Sequence, residues 1–82
     1  MTRETIEAGV RDLLAQVTQT SPDAVRAGFE CSQAPGWSSL QHLMLVSQLE
    51  SRFGVTFTNR EIPELTSYDA IVTALAARLG VT

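Results

Sequence analysis

The sequence predicts an all-α fold: a bundle of three main helices plus one short helix, with a long loop between helices 1 and 2. Three observations carry this. Apolar residues recur at helical spacing in three separate segments. Two of those segments open at serine or threonine and stop at glycine, the usual punctuation of helix ends. Val55-Thr56-Phe57, which alternates in strand fashion, does so only briefly.

In chain order, Ile6, Val10, Leu13, Leu14 and Val17 share one face, with Glu7, Arg11, Asp12 and Gln16 elsewhere, which predicts a first helix from about Thr2 to Thr18. The stretch from Gln19 to Trp37 carries Ser21-Pro22-Asp23, Gly28, Ser32 and Pro35-Gly36, so it reads as a long connection. Ser21 as cap and Pro22 at the first helical position can start a short turn there. Phe29 and Trp37 are the residues expected to anchor this loop to the core.

A second helix is expected from about Ser39 to Phe53, ending at Gly54. Ser38 is its cap, and Ser38-Ser39-Leu40-Gln41 has the form of a capping box, which places Ser39 at the first helical position. Thr58-Asn59-Arg60-Glu61 offers another such box, but Pro63 restricts this region to one short helix or turn near residues 59 to 65. The last helix begins at Thr66 or Ser67, carries Tyr68, Ile71, Val72, Leu75 and Leu79 on one face, and ends at Gly80.

Bulk properties narrow the function. The 82 residues are expected to form one domain, 1–82. A domain of that size buries only roughly 60 to 65% of its unfolded-chain surface, which makes a deep, water-excluding active site hard to build. Apolar residues make up 44% and charged residues 18%, a globular composition. The formal net charge is −3 and the six basic residues, all arginine, are scattered, so no basic footprint for nucleic acid exists.

Cys31 is the only cysteine and His42 the only histidine, which excludes an internal disulfide and leaves too few ligands for a zinc cluster. A reducing, cytoplasmic setting is the expectation. No apolar run approaches the roughly 20 residues of a membrane span. The amphipathic start at Met1-Thr2-Arg3-Glu4 is unlike a secretory signal, so the protein is expected to be used as written and to work away from membranes.

Ser39 is the candidate functional residue. A hydroxyl at a helix N-terminus is well placed to carry a phosphate, because free backbone N–H groups and the helix dipole both favour negative charge there. At about 100° per residue, Leu45, Val46, Leu49 and Phe53 fall on a core-facing arc of the second helix. Leu40, Met44, Ser47 and Ser51 fall opposite, with Leu43 and Gln48 at the margins. This outer strip reads either as a docking face beside a modifiable serine or as a cover for the loop from Gln19 to Trp37.

The run Trp37-Ser38-Ser39-Leu40, with Leu43, Leu45-Val46, Leu49-Glu50, Phe53-Gly54-Val55, Glu61-Ile62, Leu65-Thr66-Ser67 and Ile71-Val72 after it, resembles an acyl carrier protein of the stand-alone type. The resemblance covers nearly the whole chain. It implies an acyl-carrier-like bundle whose Ser39 bears a 4′-phosphopantetheine arm, with a cargo held on the arm's thiol as a thioester. It also implies a phosphopantetheinyl transferase and cargo-loading or cargo-processing enzymes as partners, whether ligase, acyltransferase or synthase. These would read Ser38, Leu40, Leu43, Met44, Ser47 and Gln48. The chain itself would be a monomer, bind no metal and catalyse nothing.

Two departures from the family pattern stand out. The family's aspartate before the serine is Ser38 here, nearly neutral as a cap but lacking the charge. Ser38 thereby becomes a rival attachment site, although register with Leu40 favours Ser39. The second helix has Glu50 as its sole acid, where many family members are strongly acidic. This points to a dedicated partner, as in a specialised-metabolite pathway (polyketide, nonribosomal peptide, antibiotic), more than to fatty acid biosynthesis.

The same residues admit competing readings. A carrier-like bundle without the modification would serve as a protein-interaction module. Ser39 and His42 at i, i+3 suggest a nucleophile and base, but no orienting carboxylate or oxyanion hole accompanies them. His42 falls towards the core arc and reads as a partly buried structural residue. Cys31 reads as a loop or core thiol, Glu61, Glu64 and Asp69 as caps and solvated faces, and Tyr68 as a core-edge aromatic with its hydroxyl in water.

Overall fold

The structure, a computed structural model, describes residues 2–81; the two end positions of the expected 1–82 domain lie outside them. It is all-α, with three helices, α1 (Arg3–Thr18), α2 (Ser39–Phe53) and α3 (Tyr68–Leu79). Short 3-10 turns lie at Pro22–Ala24, Cys31–Gln33 and Ile62–Glu64. No strand occurs among the described residues.

α1 starts where Thr2 leaves the extended conformation and its hydroxyl accepts from the Thr5 N–H at 3.2 Å. It ends at Thr18, as the spacing predicts, and Gln19 closes it in the left-handed conformation at φ 54° without the help of glycine. Ile6, Val10, Leu13 and Leu14 are buried, as the spacing predicts. α1 is the element that packs on both α2 and α3.

The connection between α1 and α2 is strapped down rather than loose. Arg11 Nε donates to the Val25 carbonyl at 3.1 Å. Cys31 N–H donates to the Thr66 carbonyl at 2.9 Å and Tyr68 N–H to the Phe29 carbonyl at 3.0 Å, flanking an antiparallel bridge between Glu30 and Ser67. Gly28 N–H adds a bond to Asp69 Oδ2 at 2.8 Å. Val25 and Cys31 are fully buried, and Phe29 and Trp37 pack partly buried against the core. Ser21 does not cap the first turn with its side chain. Pro22 has no N–H to offer, and Ala24 N–H donates to the Ser21 carbonyl at 2.9 Å instead of to the hydroxyl.

α2 has the expected bounds, with Ser38 extended at its start and Gly54 left-handed at φ 65° at its end. The capping box at its start is only half made, however. Gln41 N–H reaches Ser38 Oγ at 3.5 Å, while Gln41 Oε1 is buried with no hydrogen-bond partner. An amide oxygen can only accept, so it is the donors around Gln41 that are missing.

The second box forms in full. Thr58 N–H donates to Glu61 Oε1 at 2.9 Å and Glu61 N–H to Thr58 Oγ1 at 3.2 Å. Only the Ile62–Glu64 turn comes after it, in keeping with Pro63. α3 is capped by Ser67, whose hydroxyl accepts from Ala70 N–H at 3.1 Å, and closes at Gly80.

Leu45, Leu49, Ile71 and Leu75 are fully buried between the helices, each worth about 1.5–3 kcal/mol relative to exposure. Tyr68 is buried with the core, at 6% exposure. Burial pushes its phenol pKa up, with the charge of Glu7 adding to the effect.

Candidate functional site

The chain enters α2 through a bend at Pro35-Gly36, where Gly36 adopts φ 74°, a conformation that side chains other than glycine resist. Trp37 comes next, half-buried, with its N–H bonded to the Ala34 carbonyl at 3.2 Å. Ser38 and Ser39 are then both exposed, Ser38 as the cap and Ser39 as the first residue of α2. No acidic residue lies in that first turn.

His42, one turn along α2, is half-buried. Its Nε2 lies 2.7 Å from the Ile62 carbonyl oxygen. Because a carbonyl can only accept, Nε2 carries the proton, which leaves Nδ1 an acceptor in the neutral ring. The ring meets Trp37 edge to face, with centroids 6.2 Å apart and planes at 82°. This is the structural role expected for the histidine.

Together these residues wall an open depression of roughly 530 Å³. Trp37, Leu43 and Pro63 supply its apolar surface, His42 a ring, and Ser38, Ser39 and Thr66 its hydroxyls. Ser39 is thus part of the wall. No sequence signal places Pro63 or Thr66 at this site; both reach it through the His42–Ile62 tie and the strap at Thr66, contacts between distant segments.

The outer strip of α2 is open. Leu40 is 67% exposed, Leu43 57% and Met44 47%, and Ser47 is exposed as well, while Gln48 is half-buried. Leu40 and Met44 therefore do not seal the preceding connection. The charges of α2 are turned away from this strip. Glu50 Oε2 accepts from Phe57 N–H at 2.8 Å, and Arg52 pairs with Asp12 of α1 at 3.7 Å.

Other polar groups are occupied structurally. Glu61 pairs with Arg78, whose guanidinium also lies over the Phe57 ring at 5.5 Å. Asp69 is bonded to Gly28 N–H at 2.8 Å. Cys31 is fully buried, and burial pushes its thiol pKa up to about 11. Among the described residues no group of three or more His, Cys, Asp or Glu is placed to hold a metal ion. No helix among them is long and apolar enough to cross a membrane.

No protein-family model matches the chain, and no curated protein matches it.

Proposed function

We propose that this chain is a carrier protein bearing a 4′-phosphopantetheine arm on Ser39, with an acyl-carrier-like arrangement of its helices around the long connection. The observation that carries the reading is the exposed Ser39 hydroxyl at the first position of α2, in register with the acyl-carrier pattern from Gly36 to Val72. The residues fit the group. Free backbone donors at the helix start suit a phosphodiester, no carboxylate in the first turn opposes it, and the adjoining depression has apolar and hydroxyl walls.

In this reading Ser39 Oγ attacks the pantetheine-bearing phosphorus of coenzyme A. The Oγ–P bond forms, the P–O bond to adenosine 3′,5′-bisphosphate breaks, and the hydroxyl proton passes to a base on the transferase. The arm supplies a thiol that holds an acyl, polyketide or aminoacyl cargo as a thioester, with its carbonyl kept electrophilic. The chain's own part is to hold the serine outward on a rigid helix and to present Leu40, Leu43, Met44 and Ser47 to partners. Tethering then raises the local concentration of cargo, to about the millimolar range for a short flexible link.

One observation favours a second reading. Ser38 lacks the charge a transferase can use, while the apolar strip is open, and an unmodified bundle acting as an interaction module would show both. Intact-mass measurement after incubation with coenzyme A and a broad-specificity transferase separates the two. The carrier reading requires the gain of one arm, lost in Ser39→Ala.

A further inference from the structure

Two helix or turn starts in this chain have the capping-box sequence, and they end differently. At Thr58 the box is closed from both sides: Thr58 N–H donates to Glu61 Oε1 at 2.9 Å, and Glu61 N–H to Thr58 Oγ1 at 3.2 Å. At Ser38 one side is made, and weakly. Gln41 N–H meets Ser38 Oγ at 3.5 Å, beyond the usual hydrogen-bond range, where the caps of α1 and α3 stand at 3.2 and 3.1 Å. The other side is missing. Gln41 Oε1, the acceptor that the box assigns to Ser38 N–H, is buried and has no partner. The helix with the longest cap bond is thus the one that carries Ser39.

This looseness is bounded on both sides. Upstream, the chain bends at Gly36, with φ 74°. Downstream, His42 is fixed twice, by its N–H to the Ser38 carbonyl at 3.0 Å and by Nε2 against the Ile62 carbonyl at 2.7 Å. Between these points Ser38, Ser39 and Leu40 are exposed. A buried acceptor without a donor raises the free energy of the state that contains it, and the donor that would relieve it sits on this exposed segment.

We propose that the start of α2 is a two-state cap. In one state Gln41 Oε1 is buried and the box is open. In the other the side chain swings outward, its oxygen accepts from Ser38 N–H, and Ser38 Oγ closes on Gln41 N–H as Thr58 does on Glu61 N–H. Closing pins Ser39 between two mutually bonded residues at the first helical position. Opening leaves it on a turn held mainly through His42. The exchange sets how firmly the Ser39 hydroxyl is presented, and it does not depend on what that hydroxyl carries.

Two variants supply the end states. Gln41→Glu introduces a carboxylate that is costly to bury and suited to a helix start, so it holds the box closed. Gln41→Met keeps the side chain's length without a strong acceptor, so it holds the box open. The Ser38 amide proton resonance is read by nuclear magnetic resonance in wild type and both variants, with circular dichroism verifying that each is folded. The wild-type signal is expected between those of the variants, or split between their two positions if exchange is slow. Hydrogen exchange at the Ser38 amide should be about tenfold slower in Gln41→Glu than in Gln41→Met, with wild type between them. A wild-type signal coincident with that of Gln41→Met means a box that never closes, and one coincident with Gln41→Glu a box that never opens; either overturns the two-state cap. Equal exchange rates in all three chains overturn it as well. If a variant does not fold, wild type decides alone: a nuclear Overhauser cross-peak from the Gln41 side-chain amide to Ser38 N–H supports closing, and its absence overturns it.

Discussion

His42 Nε2 lies 2.7 Å from the carbonyl oxygen of Ile62, so the first turn of α2 is bound to the turn that precedes α3. A histidine one turn from a serine invites a catalytic reading, but this ring nitrogen is engaged with the backbone and faces no nucleophile. Its effect is to hold the two sides of the depression together. His42→Ala should therefore cost about 1–2 kcal/mol, from one lost hydrogen bond and the lost edge contact with Trp37, read by urea unfolding. A cost below the error of the measurement would show that the tie contributes nothing.

Gly9 sets how closely α1 approaches α2. A Cβ built there would lie 2.7 Å from Phe53 Cζ, well inside contact distance. Alanine improves helix propensity by up to about 1 kcal/mol, but overpacking costs about 1–3 kcal/mol, and Phe53 is buried. Gly9→Ala is expected to lower the unfolding free energy by roughly 1 kcal/mol net. A stabilised variant would mean that the ring yields freely.

Cys31 makes stability depend on alkaline pH. Its thiol holds a proton to about pH 11 in the folded chain and releases it near its ordinary value of 9.0 when exposed, so above that value ionisation favours the unfolded state. Stability should be fully present below pH 9.0 and fall on the way to about pH 11, by up to about 1.4 kcal/mol per pH unit. Cys31→Ala should remove this part of the slope, although the cavity lowers stability at every pH. The tyrosine Tyr68, raised in the same direction, leaves a residual slope above its ordinary value of 10.0. A slope between about pH 9 and 10 that is the same in the variant would contradict the assignment.

Met44 lies on the open strip and supports no core contact that its loss would collapse. Met44→Glu should change stability by less than about 0.5 kcal/mol and, on the carrier proposal, slow turnover by the enzymes that would use the loaded chain. Circular dichroism and thermal unfolding check the first part, and steady-state rates with pathway enzymes the second. Unchanged rates with every enzyme would remove Met44 from the docking face.

Much of this fold is legible because helix ends are chemically local. Ser38 and Gly54 bound α2, and Ser67 and Gly80 bound α3, through side-chain and backbone preferences that act within a few residues. The end of α1 at Thr18 is legible from where the apolar spacing runs out, but its left-handed closure at Gln19 is not, since a glutamine adopts that conformation only where surrounding contacts impose it. The strap from Phe29 to Cys31 against Thr66 to Tyr68 is likewise hidden, because it pairs segments far apart in the chain. At the site, Ser39, His42 and the outward arc of α2 can be read from helical arithmetic. The choice between an open strip and a covered loop cannot, because it depends on where the connection runs. Pro63 and Thr66 enter the site by tertiary contact alone.

The most direct measurement of the central claim is the intact mass of the chain after incubation with coenzyme A and a broad-specificity phosphopantetheinyl transferase. Wild type and Ser38→Ala should each gain the mass of one phosphopantetheine group, and Ser39→Ala none. An arm lost only in Ser38→Ala would move the attachment by one residue, and a wild type that gains no arm with any transferase would contradict the account.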